Sequence, residues 1–85
     1  MATVDTDRYP NVAHDPAVLG GAAVIRGTRI PVRAVAFYWR EKPDRERILR
    51  NYPQLSRETL DEAIRYYEAH RAEIDDELRA ETNLA

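Results

Sequence analysis

The rhythm of apolar positions along this chain changes near residue 32. Before it, Pro10, Pro16, the pair Gly20-Gly21 and Gly27 cut the sequence into short pieces. Val24-Ile25 and Ile30 lie on either side of Arg26-Gly27-Thr28-Arg29, and two short apolar runs around a glycine-containing loop predict a tight β-hairpin. Gly27 is free to take the positive φ such a turn requires. Pro31 then ends the pairing, because it has no N–H to give a ladder, and it suits the approach to a helix.

After residue 32 the spacing becomes helical. Val35, Tyr38 and Trp39 recur at three and four over a first helix from Val32 to Glu41, which Lys42-Pro43 stops. Asp44 is a good N-cap for a short second helix reaching Arg50 or Asn51, with Ile48 and Leu49 as its apolar residues. Asn51-Tyr52-Pro53-Gln54 breaks the chain, and Ser56 caps a third helix. Its line runs Leu60, Ile64, Tyr67, Arg71, Ile74, Leu78, and this predicts one continuous helix to about residue 80. The expected fold is mainly α: a small winged or homeodomain-like helix-turn-helix domain with an N-terminal β-hairpin and an extended C-terminal helix. Residues 1–8 read as a flexible N-terminus, 9–70 as the hairpin and three-helix domain, and 71–85 as an acidic helical extension.

Composition narrows the class. With 85 residues the chain has room for one small domain, and the absence of Cys excludes a disulfide scaffold, a cysteine zinc site and thiol redox chemistry. No apolar run approaches the ~20 residues of a membrane span, and the amino end lacks the basic and apolar regions of a signal peptide, so a cytoplasmic protein is expected. The net charge of −2 hides an asymmetry: residues 26–50 sum to +5, whereas residues 51–85 sum to −5. Two surfaces with different partners follow from that division.

The candidate chemistry is that of binding. Arg26, Arg29 and Arg33 fall on the hairpin and the helix it feeds; Thr28 and the Gly27 amide could add phosphate contacts. Arg45 and Arg47 accompany the second helix, and Arg57 opens the third, although Glu58, Asp61 and Glu62 share that helix start. The structural alternative for Arg29 is an ion pair tying the hairpin to the helices. Phe37, Tyr38 and Trp39 are consecutive on a helix and cannot all face one core, so at least one is expected in an interface. Ile74 and Leu78 lie beyond what three short helices would cover, so they are expected to anchor a partner, among the acids Glu73, Asp75, Asp76 and Glu77. His14 and His70 are isolated, and neither a metal site, a cofactor nor a catalytic constellation is expected. A small core and surplus aromatics point to a homodimer.

One resemblance covers roughly residues 9–75. His14-Asp15-Pro16, Gly20-Gly21, Val24-Ile25-Arg26-Gly27-Thr28-Arg29-Ile30-Pro31-Val32, and later Tyr52-Pro53-Gln54-Leu55-Ser56 with Ala63 and Tyr66-Tyr67, resemble the domain-of-unknown-function 433 family. Ala22-Ala23 departs from its pattern, as does the charged turn Glu41-Lys42-Pro43-Asp44. The resemblance implies a VapB-type antitoxin that neutralises a PIN-like ribonuclease toxin and binds the promoter DNA of its own operon. Ile74 and Leu78 would then meet the toxin. A standalone transcriptional regulator and a purely protein-binding homo-oligomeric module remain the alternatives.

Overall fold

A computed structural model describes residues 8–84, with side chains to residue 80. The protein is mainly helical, with a small two-stranded antiparallel sheet near its amino end. Strand β1 (Val12–His14) pairs with β2 (Ala23–Ile25), and four helices follow: α1 (Val32–Glu41), α2 (Arg45–Asn51), α3 (Arg57–Ala69) and α4 (Arg71–Leu84).

The helix starts follow from side-chain chemistry. The Asp44 carboxylate accepts from the Glu46 and Arg47 amides at 3.1 and 3.3 Å, and the Ser56 hydroxyl accepts from the Thr59 amide at 3.0 Å. Both satisfy donors that a helix N-terminus leaves without intrahelical partners. Helix α1 has no side-chain cap and begins on Pro31, whose missing N–H costs a helix entrance nothing.

Two expectations are corrected. The hairpin around Gly27 is not the sheet: β2 pairs with β1 in the register Val12↔Ile25, Ala13↔Val24, His14↔Ala23. The predicted pairing survives as one bridge, Val24↔Pro31, and one bond from the Ile25 amide to the Ile30 carbonyl at 2.9 Å. All three residues of β2 are buried, so it needs a partner for its other edge, and β1 supplies it. The third helix is also not continuous. His70 leaves helical torsions (φ −127°, ψ 43°); its amide closes α3 on the Tyr66 and Tyr67 carbonyls, and its own carbonyl receives the Ile74 amide of α4. That break folds α4 back against α1, and Ile74 becomes fully buried.

Helix α1 lies between two apolar clusters. One contains Ile25, Ile30, Val35, Ile48, Leu55, Leu60, Ala63 and Ile64. The other contains Tyr9, Val12, Ala23, Val32, Ala36, Tyr66, Tyr67 and Ile74. Both β2 and α1 contribute to each: Ala23 and Val32 belong to the second cluster, Ile25 and Val35 to the first. Trp39 touches both.

Candidate binding surfaces

Each arginine of the basic middle has a definite setting. Arg45 pairs with Asp61 at 2.5 Å with its guanidinium over the Trp39 ring, 5.1 Å from the centroid. Arg47 pairs with Glu41 at 2.6 Å and lies over Tyr38 at 5.2 Å, and Arg57 pairs with Glu46. Arg33 is half-buried and reaches Glu77 of α4 at 3.4 Å, while Arg40 reaches Asp75 of the same helix at 3.5 Å. Arg33, Arg40 and Arg45 thus meet acids of the C-terminal helices, whereas the partners of Arg47 and Arg57 lie six and eleven residues away. Exposed pairs of this kind contribute about 0–1 kcal/mol each. Three of them, Arg33–Glu77, Arg40–Asp75 and Arg45–Asp61, set the positive middle against the negative tail within one chain.

The turn between β2 and α1 differs. Arg26 and Arg29 are exposed, and neither forms an ion pair among the described residues. Gly27 takes φ +80°, a region costly for any other residue. Thr28 pins the turn: its hydroxyl donates to the Ile25 carbonyl at 2.7 Å and accepts from the Ile30 amide at 3.0 Å. Of the DNA-binding candidates, the structure therefore groups Arg26, Gly27, Thr28 and Arg29 on one rigid turn. Arg33 leaves that group for α4, and Arg45, Arg47 and Arg57 form a second, charge-compensated surface.

The expected partner residues also separate. Phe37 is 55% exposed, the most exposed large apolar side chain among the described residues, and Tyr38 and Trp39 are half-buried. Phe37 meets Tyr38 edge-on at 5.6 Å, and Tyr38 meets Tyr52 at 6.1 Å. These three rings, with Pro31, Arg33 and Leu78, line an open groove of about 290 Å³. Ile74, expected on an exposed stripe, is instead inside the core, and Leu78 packs partly on that core beside the groove. The reason is the His70 break, which supplies the cover that a straight helix would lack.

The histidines, isolated in sequence, are adjacent in space. Tyr66 donates its hydroxyl to Glu73 at 3.1 Å, His14 Nε2 lies 3.2 Å from that hydroxyl, and the His70 ring stacks on Tyr66 at 4.2 Å. Both rings approach the Glu73 carboxylate, at 3.4 Å from His14 and 3.6 Å from His70. The spacing of Tyr66, His70 and Glu73 at four and three could have found part of this group. Nothing in the sequence links it to His14. Among the described residues no set of three His, Asp or Glu side chains is disposed to hold a metal ion. Beside this group, burial pushes the Glu77 carboxyl above its ordinary 4.5, against the opposing pull of its bond to Arg33.

Glu62 is a second residue the sequence reading did not place. It is 5% exposed, and its carboxylate accepts both the Asn11 amide N–H and the Asn11 side-chain NH2. A buried carboxylate without such donors would be strongly unfavourable, so Glu62 fixes the segment entering β1 to α3.

The chain matches the family model described as protein of unknown function DUF433 over residues 12–67. It is also similar to the crystal structure of a DUF433 member from Anabaena variabilis, with a TM-score of 0.75 and 36% identity; the match covers 92% of this chain and 76% of the other. No curated protein matches it. No helix among the described residues is long and apolar enough to cross a membrane.

Proposed function

The chain belongs to the DUF433 family, and from that premise we propose that it is the antitoxin of a type II toxin–antitoxin pair. It binds and neutralises a PIN-like ribonuclease toxin and represses its own operon as a cytoplasmic, dimeric DNA-binding protein of winged or homeodomain-like helix-turn-helix form. In this reading α2 and α3 with the turn between them are the helix-turn-helix, and the segment around Gly27 is the wing.

The observation that carries the toxin-binding half is Phe37. Most large apolar side chains of the described residues are covered, yet this ring is exposed beside an aromatic groove. A large aromatic left in water next to a concave surface is the common form of an interface anchor. Ile74, being buried, no longer belongs to that anchor; Phe37, Tyr38 and Leu78 do. The test is co-expression with the product of the adjacent gene, followed by sizing and a nuclease assay. A stable, inactive complex that Phe37→Asp disrupts supports the reading. An adjacent product that does not bind, or a complex indifferent to Phe37→Asp, overturns it. The standalone regulator is favoured by a separate observation, the two uncompensated arginines of the β2–α1 turn.

A further inference from the structure

We infer that the Arg26–Arg29 turn is a phosphodiester-binding site that holds nucleic acid by its backbone, leaving base contacts to the proposed helix-turn-helix. The inference deepens the DNA-binding half of the proposed function and rests on it. Three observations support it. First, the chain carries no Asp or Glu between Asp15 and Glu41, while it carries arginines at 26, 29, 33 and 40. Arg33 and Arg40 are drawn to acids of α4. Arg26 and Arg29 have none among the described residues, so their charge is available to an external anion.

Second, the turn presents its donors in a fixed arrangement. The Arg26 amide bonds the Asn11 carbonyl at 2.7 Å, and the Arg26 Nε–H donates to the Pro10 carbonyl at 2.9 Å. Asn11 is itself held by buried Glu62. One of the five guanidinium N–H groups of Arg26 is thereby engaged inward, and four remain. Little side-chain entropy of Arg26 is left for a ligand to freeze. Third, the backbone amides of Gly27 and Arg29 donate to no acceptor among the described residues, whereas those of Ile25, Arg26, Thr28 and Ile30 all do. Unengaged amides beside guanidinium groups suit phosphate oxygens.

The competing surface cannot act in the same way. At α2 and α3 the arginines expected to contact DNA bring their own acids, Asp61 with Arg45, Glu41 with Arg47 and Glu46 with Arg57, and Glu58 lies in the first turn of α3, whereas Arg50 and Arg65 are exposed and form no ion pair among the described residues. A phosphate at Arg45, Arg47 or Arg57 would meet a carboxylate beside the cation.

The test is fluorescence anisotropy on the full chain, with a short labelled duplex of random sequence and an equal length of its own promoter, between about 50 and 200 mM salt. Two phosphate contacts predict a slope near −1.8 in log affinity against log salt, since each contributes about −0.9. Loss of the turn's contact should weaken both duplexes alike. Arg29→Ala should flatten the slope by about one contact and Arg29→Lys should restore it, with Arg29→Gln as the second neutral variant should the alanine form lose its far-UV signal. Arg79→Ala, whose charge is paired with Asp76 on α4, should leave slope and affinity unchanged. No binding at the lowest salt, an unchanged slope in folded Arg29→Ala, or an equal loss in Arg79→Ala would each overturn the site. A loss on Arg29→Ala confined to the promoter duplex would overturn backbone-only contact at this turn. Arg29→Ala should also leave capture of the adjacent gene product intact, which separates failure of this site from failure of the toxin-binding reading.

Discussion

The two apolar clusters flanking α1 are stabilised by different means. The one around Ile48 and Leu60 is aliphatic, and its stability is the area it removes from water. The one around Tyr66 and Tyr67 is aromatic, and its polar atoms have carboxylate partners: Tyr66 with Glu73 and Tyr67 with Asp75 at 3.0 Å. Glu62 with Asn11 adds a third such tie. The first cluster tolerates any change that preserves volume. The second requires each donor to find its acceptor, since a buried group left unsatisfied costs about 1–3 kcal/mol. One half of this domain therefore depends on packing, and the other depends on packing and pairing together.

Leu60→Ala offers the strongest way to break that comparison. It should cost about 2–5 kcal/mol in urea unfolding, by transfer and cavity terms alone, with no dependence on pH. Glu62→Ala comes next, at about 1–3 kcal/mol, and it should raise amide exchange at Asn11 and in β1 while leaving α2 protected. Tyr67→Phe should cost about 1 kcal/mol and sharpen the contrast through pH. Burial first, then the bond to Asp75, raises the Tyr67 hydroxyl above its ordinary 10.0. A raised acid contributes stability that is fully present below the ordinary value and is lost as pH rises through the folded one. The wild-type advantage over Tyr67→Phe should therefore hold at neutral pH and shrink above about pH 10. Glu77→Gln tests the same linkage in the acid range: the wild type should lose stability relative to this variant as pH rises past 4.5, because burial opposes Glu77 ionisation. Arg45→Ala should have the smallest effect, within about 1 kcal/mol, since its pair with Asp61 is exposed.

The same division explains what could be read from the residues in order. Helix α1 was expected from Val32 to Glu41 and lies there, and Asp44 and Ser56 cap the helices they were expected to cap. Those features depend on neighbours within a turn, and so does the aliphatic cluster they position. Strand β1 escaped because three residues carry no alternation to detect. The His70 break escaped because no Gly or Pro marks it; burial of Ile74 against α1 overrides local preference. On the candidate sites, the exposed aromatic of the Phe37–Trp39 run and the basic turn were legible. The pairing of Arg33, Arg45, Arg47 and Arg57 with acids was not, because each depends on a tertiary approach that charge counting along the chain does not register.

The break at His70 makes one peptide unit a topological decision. The stripe from Leu60 to Leu78 keeps helical spacing across it, so the same residues satisfy a bent pair of helices or a single straight rod. With helical torsions at His70, α4 would leave its own α1 and expose Ile74. The vacated berth in one molecule would then accept α4 of a second, with every native contact remade between chains. Closed monomer and domain-swapped dimer are in this sense two settings of one hinge.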